Sequence, residues 1–135
     1  MTIFKFKFNF KKMNLRFFSQ RKYQKSLRNY LIKTKEPKCI LCNTEYPVEI
    51  LETAHLKPYS VSCDIERTDI NIVEFMCRNC HKYYDLGFLG VVNGLVIKNR
   101  DILKYEYTIT NKYIDNYNFN NAKYYNFHFK NIFKS

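Results

Sequence analysis

Two thiol pairs, Cys39-x2-Cys42 and Cys77-x2-Cys80, stand 34 residues apart and constrain this chain more than any other feature of its sequence. Each pair makes a tight knuckle, and two knuckles bring four sulfurs to one tetrahedral ion. The spacing therefore predicts a four-thiolate zinc site. Such a site would pin both ends of the segment between the pairs. Inside that frame stands Ala54-His55-Leu56-Lys57-Pro58, and His81 follows Cys80 directly. Two of the three histidines are thus held by the staple.

The chain has the length of one domain with room for extensions at either end, and 46% of its residues are hydrophobic, 18% Phe or Tyr. That composition favours a folded, aromatic-rich core over disorder. Lys and Arg number 23 against 12 Asp and Glu, leaving a net charge of +11 and a pI near 9.4. An excess of that size favours a polyanionic partner, nucleic acid before an acidic membrane surface. No stretch of about 20 apolar residues is present to span a bilayer. Cysteines in C-x2-C pairs fit a reducing compartment, so an intracellular setting, cytoplasm or nucleus, is expected. The unpaired Cys63 reads as a small buried apolar residue. Charges interrupt the apolar positions of Met1 to Phe10, which argues against a secretory leader.

Residues 4 to 10 alternate with period two, as a half-buried strand or a flexible basic arm would. From Asn14 to Lys35 apolar residues recur at three- and four-residue steps, predicting an amphipathic helix whose other face carries Arg16, Arg21, Lys22, Lys25 and Arg28. Val48 to Leu56 reads as a strand ending at His55, and Ser60 to Asp69 as a polar loop. Asn71 to Met76 leads to the second knuckle. His81 then opens a short helix, Lys82 to Leu86, stopped at Gly87. Asn93-Gly94 between apolar pairs predicts a hairpin turn. Ile102 to Phe133 alternates aromatic and polar residues and is expected to be strand and irregular packing, with His128 a packing residue.

The text Leu51-Glu52-Thr53-Ala54-His55-Leu56-Lys57-Pro58, then Asn71, then Cys77-Arg78-Asn79-Cys80-His81-Lys82-Tyr83-Tyr84-Asp85-Leu86-Gly87 resembles the HNH endonucleases with a zinc-stapled ββα-metal core. The resemblance covers about residues 36 to 97. It implies an α+β fold: a small ββα-metal core stapled by a four-cysteine zinc site, a basic arm and helix over residues 1–35, and an aromatic-rich β or irregular extension over 98–135 packed on the core.

The activity implied is metal-dependent hydrolysis of phosphodiester bonds in DNA, leaving a 5′-phosphate and a 3′-hydroxyl. His55 would act as general base on water, since an imidazole titrates near neutrality. Asn71 would brace the loop that bears His55. His81 and Asp85, four apart on a helix, would face one divalent ion, Mg or Mn with Zn or Ni as further candidates. Ala54 stands where many HNH proteins place another metal ligand, which moves that task to His81 and Asp85. Glu52, three residues before His55, is expected to face away from it. Lys57, Arg78 and Lys82 flank the centre and are candidates for phosphate contacts.

One such centre cuts one strand, so a monomer would nick and a homodimer could break both strands. The bias toward Lys, Asn, Ile, Tyr and Phe is what AT-rich coding produces, as in a mobile element or a large AT-rich virus. A zinc-ribbon module that binds nucleic acid without cutting it accounts for the same cysteines and the same charge. Divalent dependence separates the two.

Overall fold

The computed structural model describes residues 9–102, 105 and 112–135, with side chains from Arg21 onward. It is a small mixed helix and sheet structure. Helix α1 spans Asn9–Thr34, five residues earlier than the periodicity predicts. Asn9 and Phe10 of the expected strand or arm are therefore helical, and residues 4–8 lie outside the described residues. Leu27 and Leu31 are buried, with Tyr30 packed beside them, so one helix face enters the core. The amphipathic reading of this part of α1 holds on those residues.

Strand β1, Glu52–His55, pairs antiparallel with β2, Val73–Met76, in a register that sets Glu52 opposite Met76 and His55 opposite Val73. β1 is shorter than the expected Val48–Leu56. Ile50 and Leu51 donate back to the carbonyls of Pro47 and Val48, so the residues before β1 form turns. The β1–β2 connection holds a short helix, α2, Asp64–Arg67, within the expected polar loop. There Cys63 is the N-cap and is exposed, contrary to the buried apolar role expected of it; its N–H is accepted by Glu66 Oε1 at 3.0 Å.

Helix α3, Arg78–Asp85, follows β2 after one residue. It starts four residues before the expected Lys82, because Cys77 acts as N-cap, with its sulfur accepting from the Cys80 N–H. Gly87 ends the turn after α3 with φ 85, and a Cβ there would collide with the Ile132 carbonyl. Strands β3, Leu89–Val92, and β4, Leu95–Lys98, form the expected hairpin, with Asn93 at φ 50 and Gly94 at φ 83.

The C-terminal extension departs from the expected strand and irregular packing. Phe119–Asn131 is a 13-residue helix, α4, capped by the Asn118 side chain on the N–H groups of Asn120 and Asn121. The aromatic alternation hides a second period: Asn121, Tyr124, Tyr125 and His128 are the buried positions, spaced three and four apart. His128 stacks on Tyr84 of α3 with ring centroids 3.5 Å apart, and its Nε2–H donates to the Tyr84 carbonyl at 2.6 Å. It is the packing residue expected. Among the described residues no helix is long and apolar enough to cross a membrane.

Candidate functional site

The two knuckles are built alike. In the first, the Cys39 N–H donates to Thr44 O at 3.0 Å, and its carbonyl accepts from Asn43 N–H at 2.8 Å. Asn43 sits at φ 63, a conformation asparagine tolerates better than most residues. Cys42 N–H points at Cys39 Sγ and Cys80 N–H at Cys77 Sγ, each at 3.5 Å. Ile40 N–H donates to Phe75 O at 2.9 Å, laying the first knuckle against the end of β2, where the second begins.

The four ligand sulfurs consequently lie within 4.8 Å of one another, with Cys42 and Cys77 3.9 Å apart. Tetrahedral zinc with bonds of about 2.3 Å places sulfurs about 3.8 Å apart, so the quartet is compatible with a structural zinc ion. Three of the four residues are buried and Cys42 is half-buried, as suits a closed structural site. Hydrogen bonds from neighbouring thiols, that of Cys39 foremost, hold Cys42 well below the usual thiol range and Cys77 down to about 6. The same contacts lift Cys39 and Cys80. Thiolates are the form that binds metal.

A second cluster lies where β1 meets α3. His81 sits in the first turn of α3, with Nδ1 2.7 Å from Glu52 Oε1 and Nε2 3.3 Å from Asp85 Oδ2 one turn further on. Glu52 thus has His81 as its partner, a residue that its place three positions before His55 does not suggest. Strand parity separates it from His55, but from the first position of β1, opposite Met76, its side chain reaches the start of α3. With Nδ1–H donated to Glu52, Nε2 turns a lone pair toward the Asp85 carboxylate. That arrangement is favourable only with a proton or a cation between them. Burial raises the Asp85 carboxyl, opposed by His81 and Lys82.

His55 ends β1. Its Nε2 is buried without a hydrogen-bond partner, and its ring stands edge-on to Tyr59 at 5.9 Å. Burial, and then the nearby His81, push its pKa below the ordinary histidine value, so the ring is neutral near neutral pH. Tyr84 of α3 donates to the carbonyl of the next residue, Leu56, at 2.6 Å. The Leu56 N–H donates to Ile72 O at 2.7 Å. The segment bearing His55 is thereby tied to both α3 and the turn before β2.

Asn71 lies in that turn, but its amide donates to Asp69 Oδ1 at 2.9 Å, as does its own N–H. Asp69 in turn accepts from Tyr124 of α4 at 2.5 Å. Asn71 therefore shapes the loop from within, and the link to the His55 segment is made by its neighbour Ile72.

The three basic residues expected near phosphates are dispersed. Lys57 is engaged by both carboxylate oxygens of Glu66, at 2.8 and 3.0 Å, and lies over the Phe127 ring. Arg78 and Lys82 are exposed on α3. None of the three lines the cleft of about 700 Å³ beside His55. One wall of that cleft is β1 and the residues before it, with Glu49, Glu52, Thr53 and His55. The other is α1, with Arg21, Gln24, Lys25 and Arg28. Arg28 fastens the walls together, donating to Leu51 O at 2.9 Å, Val48 O at 3.0 Å and Thr53 Oγ1 at 3.1 Å.

Comparison with protein-family models and with curated proteins returns no match for this chain.

Proposed function

We propose that the chain is a metal-dependent HNH endonuclease that hydrolyses phosphodiester bonds in DNA. The observation that carries this reading is the meeting of β1 and α3, where His55 lines an open cleft and the His81–Asp85 pair, oriented by Glu52, lies on the adjoining helix. An antiparallel strand pair followed directly by a helix is also the arrangement a ββα-metal core requires.

In this reading the four cysteines hold zinc for structure, while His81 and Asp85 hold a divalent ion, Mg or Mn. Bound there, the ion supplies charge stabilisation to the phosphoryl and leaving oxygens. His55, kept neutral by burial, takes the proton of the attacking water. Glu52 fixes the His81 tautomer so that Nε2 is the free nitrogen. Tyr84 and Ile72, both bonded to Leu56, keep the His55 segment in place, while Asn71 shapes the turn that carries Ile72.

A zinc-ribbon module that binds nucleic acid without cutting it is favoured by one observation. Among the described residues, the cysteine quartet is the one group of three or more possible metal ligands gathered this closely. A supercoiled-plasmid assay on the zinc-loaded chain separates the readings. The nuclease reading expects nicked circles in Mg or Mn and none without added divalent ion. Tight DNA binding with no cleavage across Mg, Mn, Ni and added Zn selects the module.

A further inference from the structure

We infer that the inner face of α1 is the track for the sugar-phosphate backbone of the DNA strand entering the His55 cleft. This deepens the nuclease reading by naming where the substrate lies, and it rests on that reading only for what happens at His55.

Arg21, Gln24, Lys25 and Arg28 stand at i, i+3, i+4 and i+7 of one helix, so they form a single stripe about 10 Å long. Three of the four are cationic. Lys25 and Gln24 are exposed and make no hydrogen bond or ion pair with the described residues, so their donors face the cleft free for a ligand. Arg28 holds three protein oxygens, two of them main-chain, and thereby fixes the stripe against β1 before any ligand arrives. Preorganisation of this kind lowers the ordering cost of binding.

The opposite wall carries the carboxylates of Glu49 and Glu52. A polyanion entering this cleft is repelled by that wall and attracted by α1, so the helix side is where a phosphate chain runs. Lys57, by contrast, is neutralised by Glu66, and Arg78 and Lys82 lie on α3 outside the cleft. Lys22 and Lys33 carry the same charge on α1, exposed and outside the cleft, and make the matched control.

The test measures anisotropy of a labelled 20-base-pair DNA with zinc-loaded full-length chain, without Mg or Mn, from 50 to 200 mM salt. The double variant Arg21→Gln/Lys25→Gln is expected to bind roughly fivefold or more weakly at about 100 mM salt and to lower the salt slope by at least about 0.9, the share of the one phosphate contact that Lys25 supplies. Lys22→Gln/Lys33→Gln removes the same charge and is expected to change affinity less than about threefold. Equal loss in both doubles, native-like binding by the cleft double with an unchanged melting temperature, or preference for anionic vesicles over DNA overturns the inference. A chain that nicks plasmid while its cleft double binds like the native chain keeps the nuclease reading and loses this one. A chain that never nicks but shows the cleft-specific loss does the reverse.

Discussion

Glu52 Oε1 lies 2.7 Å from His81 Nδ1, joining the first residue of β1 to the first turn of α3. One carboxylate thus sets the tautomer of the histidine that faces Asp85 across a helical turn. Removing it leaves His81 free to rotate and to place its proton on either nitrogen.

If His81 and Asp85 hold the divalent ion, Glu52→Ala raises the Mn concentration needed for half-maximal nicking by about 10- to 100-fold, the usual effect of losing a partner behind a metal-binding histidine. Nicking rate against Mn concentration is the measurement. An unchanged Mn requirement would remove Glu52 from the site.

The cysteine quartet should hold one zinc per chain. Cys77→Ser takes away a thiolate ligand while leaving a side-chain cap on α3, so zinc content measured by atomic emission falls to background. Folding should fail with it, because structural zinc contributes on the order of 10 kcal/mol. Circular dichroism of the native chain with and without a strong chelator checks the same point. A chelated chain that keeps its melting temperature contradicts a structural role.

His128 predicts an acid-sensitive core. Its Nε2–H is donated to Tyr84, its Nδ1 is buried with no partner, and burial lowers its pKa to about 4. The unfolded chain binds this proton at higher pH than the folded chain does. The contribution is therefore fully present above about pH 6.5 and is lost as pH falls toward 4, by roughly 3 kcal/mol. His128→Phe keeps the ring on Tyr84, whose carbonyl still accepts from Gly87 N–H. Urea midpoints of the two chains between pH 7 and 4 should show a shallower decline in the variant; parallel declines would exclude His128 as the cause.

What is legible in the sequence is local. The cysteine pairs and the Asn93-Gly94 turn rest on spacings of a few residues, and the structure brings the four thiols together and forms the hairpin. The extension reads wrongly because aromatic and polar residues alternate by eye from Tyr124 to Phe129, while the cap at Asn118 and burial of Asn121, Tyr124, Tyr125 and His128 follow helical spacing.

Strand parity turns Glu52 away from His55 but says nothing of His81, which stands on another element. β1 has four residues, and only its register against β2 reveals what stands beside its first one. Lys57 and Cys63 depend on α2, a four-residue helix whose Glu66 captures the lysine and the Cys63 N–H. Arg28 is one more surface charge in the sequence, and the turn at Val48 and Leu51 presents it with carbonyls. For Glu52 and Arg28 the partner is distant in sequence, and no local pattern encodes it.

In the proposed reading the chemistry resides in the histidines framed by the zinc staple. Its most direct test compares zinc-loaded native chain with His55→Ala on supercoiled plasmid in Mn. Nicked circles with a 5′-phosphate are expected from the native chain, and a fall of about 100-fold or more for the variant, at unchanged zinc content and melting temperature. Undiminished nicking by His55→Ala would contradict it.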